Sequence, residues 1–78
     1  MTMEKFTQIH RKILKKPELV LYDELTARDV DTWDSLAHLS LIIAIEQSYN
    51  IRFENEEIIL IRNIGDMLTL LRAKEVEI

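Results

Sequence analysis

The stretch Trp33-Asp34-Ser35-Leu36-Ala37-His38-Leu39-Ser40-Leu41-Ile42-Ile43-Ala44-Ile45-Glu46-Gln47-Ser48-Tyr49-Asn50 decides how this chain folds. Asp34 suits an N-cap, because its carboxylate can accept a backbone N–H that the first helical turn leaves unpaired. From Asp34 or Ser35 to about Tyr49 no glycine or proline interrupts the run, and Asn50 is a natural left-handed terminator. Leu36, Leu39, Ile42, Ile43 and the stem of Glu46 read as one stripe, widened by Leu41 and Ile45. A helix apolar over most of its girth belongs at the centre of a helical core. Trp33, just before the cap, stands where a hydrophobic staple packs across the first turn. An interface anchor is the other reading of that side chain.

Upstream, Phe6, Ile9 and Ile13 recur at intervals of three and four, with Leu14 beside them, which predicts a first helix over about Met3–Lys16. Lys12, Lys15 and Lys16 crowd its C-terminal end, where positive charge suits the helix dipole, and Pro17 marks the boundary. Leu19–Thr32 lacks a helical period and reads as a long connection, with at most a short turn of helix, that Leu19, Leu21, Leu25 and Val30 pin to the core. Downstream, Ile51 and Phe53 alternate around Arg52 as a short extended segment. Glu54 or Asn55 caps a short helix containing Ile58–Ile61. Four successive apolar residues cannot all face one way, so one or two must face a groove or partner. Asn63 with Asp66 three residues on resembles a capping arrangement for a last helix bearing Ile64, Met67, Leu68 and Leu71, with Met67 as core filler. The expectation is an all-α fold over a single domain, 1–78: three main helices plus one short one, with a long loop between the first and second.

The composition agrees with this. One glycine and one proline disfavour a turn-rich β fold, and the absence of cysteine removes disulfides, thiolate zinc sites and thiol nucleophiles. A chain of 78 residues buries only roughly 60–65% of its unfolded surface, so aliphatic packing must carry a thin margin of stability. The net charge of −4 argues against nucleic acid and anionic lipid as partners. That charge is uneven. Between Arg28 and Glu57 lie Asp29, Asp31, Asp34, Glu46, Glu54, Glu56 and Glu57 against only Arg28 and Arg52. A basic partner and a merely solvated acidic surface both account for it. No secretory signal is legible, and Leu36–Ile45 is too short to span a bilayer, so a cytoplasmic protein without membrane insertion is expected, as a monomer.

Ser35 is the candidate functional residue. Asp34 and Ser35 are common helix starters, and that alone accounts for them. A phosphate ester on Ser35 would, however, face free N–H groups and the positive end of a helix dipole. His38 lies one turn further on and can neighbour Ser35, but a nucleophilic serine also needs a third orienting group and an oxyanion site, which one exposed turn does not supply. A calcium loop starting at Asp29 fails, with Trp33 and Asp34 where an oxygen ligand and glycine are needed and Ser40 at the twelfth position. His10 and His38 lack metal-ligand spacing.

The run Asp29-Val30-Asp31-Thr32-Trp33-Asp34-Ser35-Leu36 resembles the attachment motif of acyl and peptidyl carrier proteins, whose core is Asp-Ser-Leu. The resemblance extends over nearly the whole chain: first helix, long loop, central helix, Ile-x-Phe segment and two further helices, with Ile64-Gly65-Asp66-Met67-Leu68 similar to the start of the family's last helix. It implies a non-catalytic carrier with 4′-phosphopantetheine on Ser35, installed from coenzyme A by a phosphopantetheinyl transferase. Asp34 would orient the serine and engage Mg²⁺ in that complex, with no metal in the free protein, and Leu36 would contact the transferase. The arm would carry an acyl or aminoacyl thioester, loaded by a ligase and passed to a downstream synthase or transferase. Ile58, Ile59 and Ile61 are candidates for lining an acyl cradle, and Trp33, His38, Leu39, Glu54, Glu56 and Glu57 for docking partners. The second helix departs from the fatty-acid pattern, since Glu46 is its only acid, which points to a specialised pathway. Three other readings stay open: a helical interaction module binding through Trp33 without a prosthetic group, an adaptor phosphorylated on Ser35, and a small hydrolase.

Overall fold

The structure, a computed structural model, describes residues 2–78, with side chains from Met3 onward. Four α-helices follow one another: α1 over Thr2–Leu14, α2 over Ser35–Tyr49, α3 over Asn55–Leu60 and α4 over Ile64–Ala73. A 3₁₀ turn, Ala27–Asp29, sits within the long connection between α1 and α2. No strand occurs among the described residues.

α1 ends two residues before the expected Lys16, because Lys15 turns left-handed at φ 58°. Its backbone N–H bonds Lys12 O, and that of Lys16 reaches back to Arg11 O at 3.0 Å, the paired closure that satisfies the last carbonyls of a helix. The buried line of α1 is Phe6, His10 and Leu14, spaced by four; Ile9 and Ile13, expected at its centre, flank it half-buried.

In α2 the cap is as expected, with Asp34 Oδ1 accepting the Ala37 N–H at 2.8 Å. The buried face is not. Leu41, Ile42 and Ile45 face the core, while Leu36, Leu39 and Ile43 are 75%, 51% and 46% exposed. The expected stripe thus merged two faces. In a helix apolar nearly all round, periodicity cannot say which side meets the core. Glu46 is not a free surface acid either: its Oε2 accepts the Phe53 N–H at 2.8 Å and fastens the extended segment after the helix.

Leu25 and Val30 are buried and Leu19 and Leu21 pack beside them, so the loop is pinned as its apolar residues require. It also docks on the start of α4, where Gly65 N–H donates to Asp23 O at 2.9 Å and Ile64 N–H to Leu25 O at 3.1 Å. Asn63 Oδ1 caps α4 through the Asp66 N–H at 2.8 Å, and Met67 is core.

Candidate functional site

The chain arrives at Ser35 along a segment held on every side. Thr32 Oγ1 donates to Leu14 O at the end of α1, and Lys16 pairs with Asp31 at 2.8 Å. Trp33 N–H closes a turn onto Val30 O at 3.0 Å. The Trp33 indole is only 7% exposed and packs edge-on to His10 with ring centroids 6.1 Å apart. Its Nε1–H donates to His38 Nδ1 at 3.1 Å. Trp33 therefore serves as a staple and a wall, and as a surface anchor for partners it is corrected: its ring is spent on the two histidines.

Ser35 opens α2 and is exposed, and its hydroxyl has no protein partner among the described residues. Beside it lies a cavity of about 500 Å³ lined by Ala27, Trp33, Asp34, Ser35, His38, Ile61 and Arg62. Ile61, expected inside the third helix, is instead its C-cap and is buried. Of the three expected cradle residues, only Ile61 lines this cavity. Ile58 is half-buried against the core and Ile59 is 76% exposed. On the proposed docking side, Leu39, Glu54 and Glu56 are exposed. Glu57 is committed to the fold: its Oε1 accepts the Glu54 N–H at 2.8 Å and Lys74 Nζ at 2.9 Å. Those two contacts hold its carboxyl below the usual range, the Glu54 N–H more than Lys74.

His38 is not poised as a base for Ser35. Its Nδ1 is occupied by the Trp33 N–H, and partial burial pulls its pKa below the usual 6.5. Burial does the same to His10, whose Nδ1–H donates to Phe6 O at 2.9 Å. Sequence reasoning left His10, Ala27 and Arg62 out of the site. His10 was readable as the position four after Phe6, within the apolar stripe; for Ala27 and Arg62 no local pattern exists. Among the described residues no group of three or more His, Cys, Asp or Glu side chains is placed to hold a metal ion, and no helix is long and apolar enough to cross a membrane.

The site is thus an unpartnered serine on the first turn of the central helix, stiffly mounted and open to solvent beside an apolar-walled cavity. Two solved structures share the whole fold. The solution NMR structure of a holo acyl carrier protein from Geobacter metallireducens matches with a TM-score of 0.81 and 34% identity, over 99% of this chain and 94% of that one. A Mycobacterium tuberculosis structure assigned to the acyl carrier proteins also gives 0.81, at 21% identity over 91% and 95% of the two chains, a likeness of fold alone. No family model matches the chain, and no curated protein matches it. At the identity and coverage of the Geobacter protein, the chain belongs to the acyl carrier protein family. Its role is that family's: a non-catalytic carrier that serves other enzymes.

Proposed function

We propose that Ser35 is the attachment point of a 4′-phosphopantetheine arm on which this chain carries acyl or aminoacyl intermediates. The observation that supports this most is the free, exposed Ser35 hydroxyl at the mouth of the 500 Å³ cavity. The residues fit such a group: the serine is accessible, Trp33 and Ile61 supply an apolar wall, and His38 and Arg62 a polar edge. Loading forms an ester bond between Ser35 Oγ and the arm's phosphorus, breaks that phosphorus's bond to the adenosine bisphosphate part of coenzyme A, and passes the hydroxyl proton to a base of the transferase. Asp34, which caps the helix through the Ala37 N–H, would orient the serine and engage the Mg²⁺ of that complex, and Leu36, 75% exposed, would meet the transferase. When bound, the arm supplies a thiol that holds cargo as a thioester, and tethering raises the cargo's effective concentration at each partner.

The exposed face of α2 runs Leu36, Leu39, Ser40, Ile43 and Gln47, with no acid on it. This supports partners of a specialised pathway that grip apolar side chains over the basic enzymes that an acidic helix would attract, with the exposed Glu54 and Glu56 at the start of α3 as further docking candidates. A loading ligase and a downstream synthase or transferase are those partners, and we read the coenzyme A-dependent loading as cytoplasmic.

Intact-mass measurement after incubation with coenzyme A, Mg²⁺ and a broad-specificity transferase tests the reading. A phosphopantetheine-sized gain in wild type and none in Ser35→Ala is expected. A gain retained in Ser35→Ala, or no gain with several transferases, would sink it.

A further inference from the structure

We propose that Arg62 is the counter-charge for the arm's phosphodiester, so that the first part of the arm rests in the cavity between Trp33 and Ile61 instead of swinging free; this rests on attachment at Ser35. A phosphodiester on Ser35 puts a negative charge on the same cavity wall as the Asp34 carboxylate. Like charges on one wall repel, so the loaded state calls for a cation. Among the side chains lining the cavity Arg62 is that cation, and it makes no ion pair among the described residues. Its backbone is pinned, with the N–H donating to Asp66 Oδ2 at 3.0 Å at the junction of α3 and α4, while its side chain is exposed. His38 is the poorer cation, because its Nδ1 accepts the Trp33 N–H and partial burial lowers its pKa from the usual 6.5.

The chemistry matches the ligand. A guanidinium presents a planar fork of donors suited to two phosphate oxygens. The phosphorus is one bond from Ser35 Oγ, which confines it to the cavity mouth, whereas a cargo group sits at the far end of a long arm. The phosphate is followed by a carbon bearing two methyl groups, and Trp33, Ile61 and Ala27 offer that segment an apolar wall. The remainder of the arm, thiol included, stays outside and available to partners.

The test uses holo protein with a bare thiol, its loading verified by mass, and proton NMR contacts between the arm's geminal methyls and the Trp33 and Ile61 side chains. Wild type is expected to show them. In Arg62→Ala and Arg62→Gln the docked population falls about two- to fivefold, the range of an exposed ion pair. Arg62→Lys restores part of it, and added salt weakens it in wild type. Contacts absent from wild-type holo protein, or undiminished in both neutral variants, would overturn the assignment while leaving Ser35 as the attachment point. So would an Arg62 effect that emerges only with a dicarboxylic cargo, since the bare arm has no carboxylate. Failure of mass gain at Ser35 overturns both readings together.

Discussion

Among the described residues three hold left-handed backbone without being glycine: Lys15, Asn50 and Glu75, at φ 58°, 56° and 67°. Each ends a long helix. Ile51 N–H reaches Glu46 O at 3.1 Å, and Val76 N–H reaches Leu71 O at 2.9 Å, repeating the closure after α1. Asparagine tolerates this conformation; lysine and glutamate bear a steric cost of about 1–2 kcal/mol, against which glycine sets an entropic cost of about 0.5–1 kcal/mol. Lys15→Gly is therefore expected to stabilise the fold by about 0.5–1 kcal/mol. In a domain of this size that raises the melting temperature by about 2–8 °C, which calorimetry can read.

At the scale of elements, the long loop and α4 are joined through Gly65, the only glycine. A Cβ there would lie 3.1 Å from Asp23 Cβ and 3.3 Å from Asp23 O, the carbonyl that receives the Gly65 N–H. The loop comes this close because the helix start has no side chain at that point. Ala27, within the same loop, lines the cavity beside Ser35, so the junction also helps shape the site. Gly65→Val is expected to cost about 1–3 kcal/mol, the range for overpacking. Faster amide exchange from Asp23 to Leu25 would locate the damage in the loop, and an unchanged loop with a lost α4 would count against a close-approach role for Gly65.

Over the whole molecule, stability depends on pH through the buried aromatic cluster that joins α1 to α2. Phe6, His10, Trp33 and His38 contact one another in sequence, tilted, edge-on and then stacked, and both imidazoles have folded-state pKa values below 6.5, with burial the main cause. A depressed histidine pKa means that the unfolded chain takes up protons first. The contribution of the neutral rings is therefore complete above about pH 6.5 and is lost as the pH falls from there through their folded-state values. Glu57 and Asp31, also shifted down, act only in a more acidic window, below their usual 4.5 and 3.8. Urea midpoints are expected to fall between pH 7 and pH 5, and the slope over that interval should flatten in His10→Gln whatever the variant's absolute stability. An unchanged slope would mean that His10 does not contribute to it.

How much of this was legible in the chain varies with the range of the interaction. The four helices, the caps at Asp34 and Asn63, the terminator Asn50 and Ser35 as the outward-facing residue at a helix start were all readable, because each depends on neighbours within about one turn. The pinning of the loop was readable from its own apolar residues, though not the partners that hold it. The Asp-Ser-Leu core within that layout was enough to point to the family. The exposed side of α2 was not readable: Leu36, Leu39 and Ile43 equal Leu41, Ile42 and Ile45 in hydrophobicity, and only the position of α1 and the loop decides which set is covered. Nor was the cavity, since Ala27, Trp33, Ile61 and Arg62 come from separate segments that meet only when the bundle closes. Local chemistry within one turn was determined by the sequence itself, whereas the buried face of the central helix and the walls around Ser35 were decided by tertiary packing, because burial belongs to the surfaces that meet and not to either one alone.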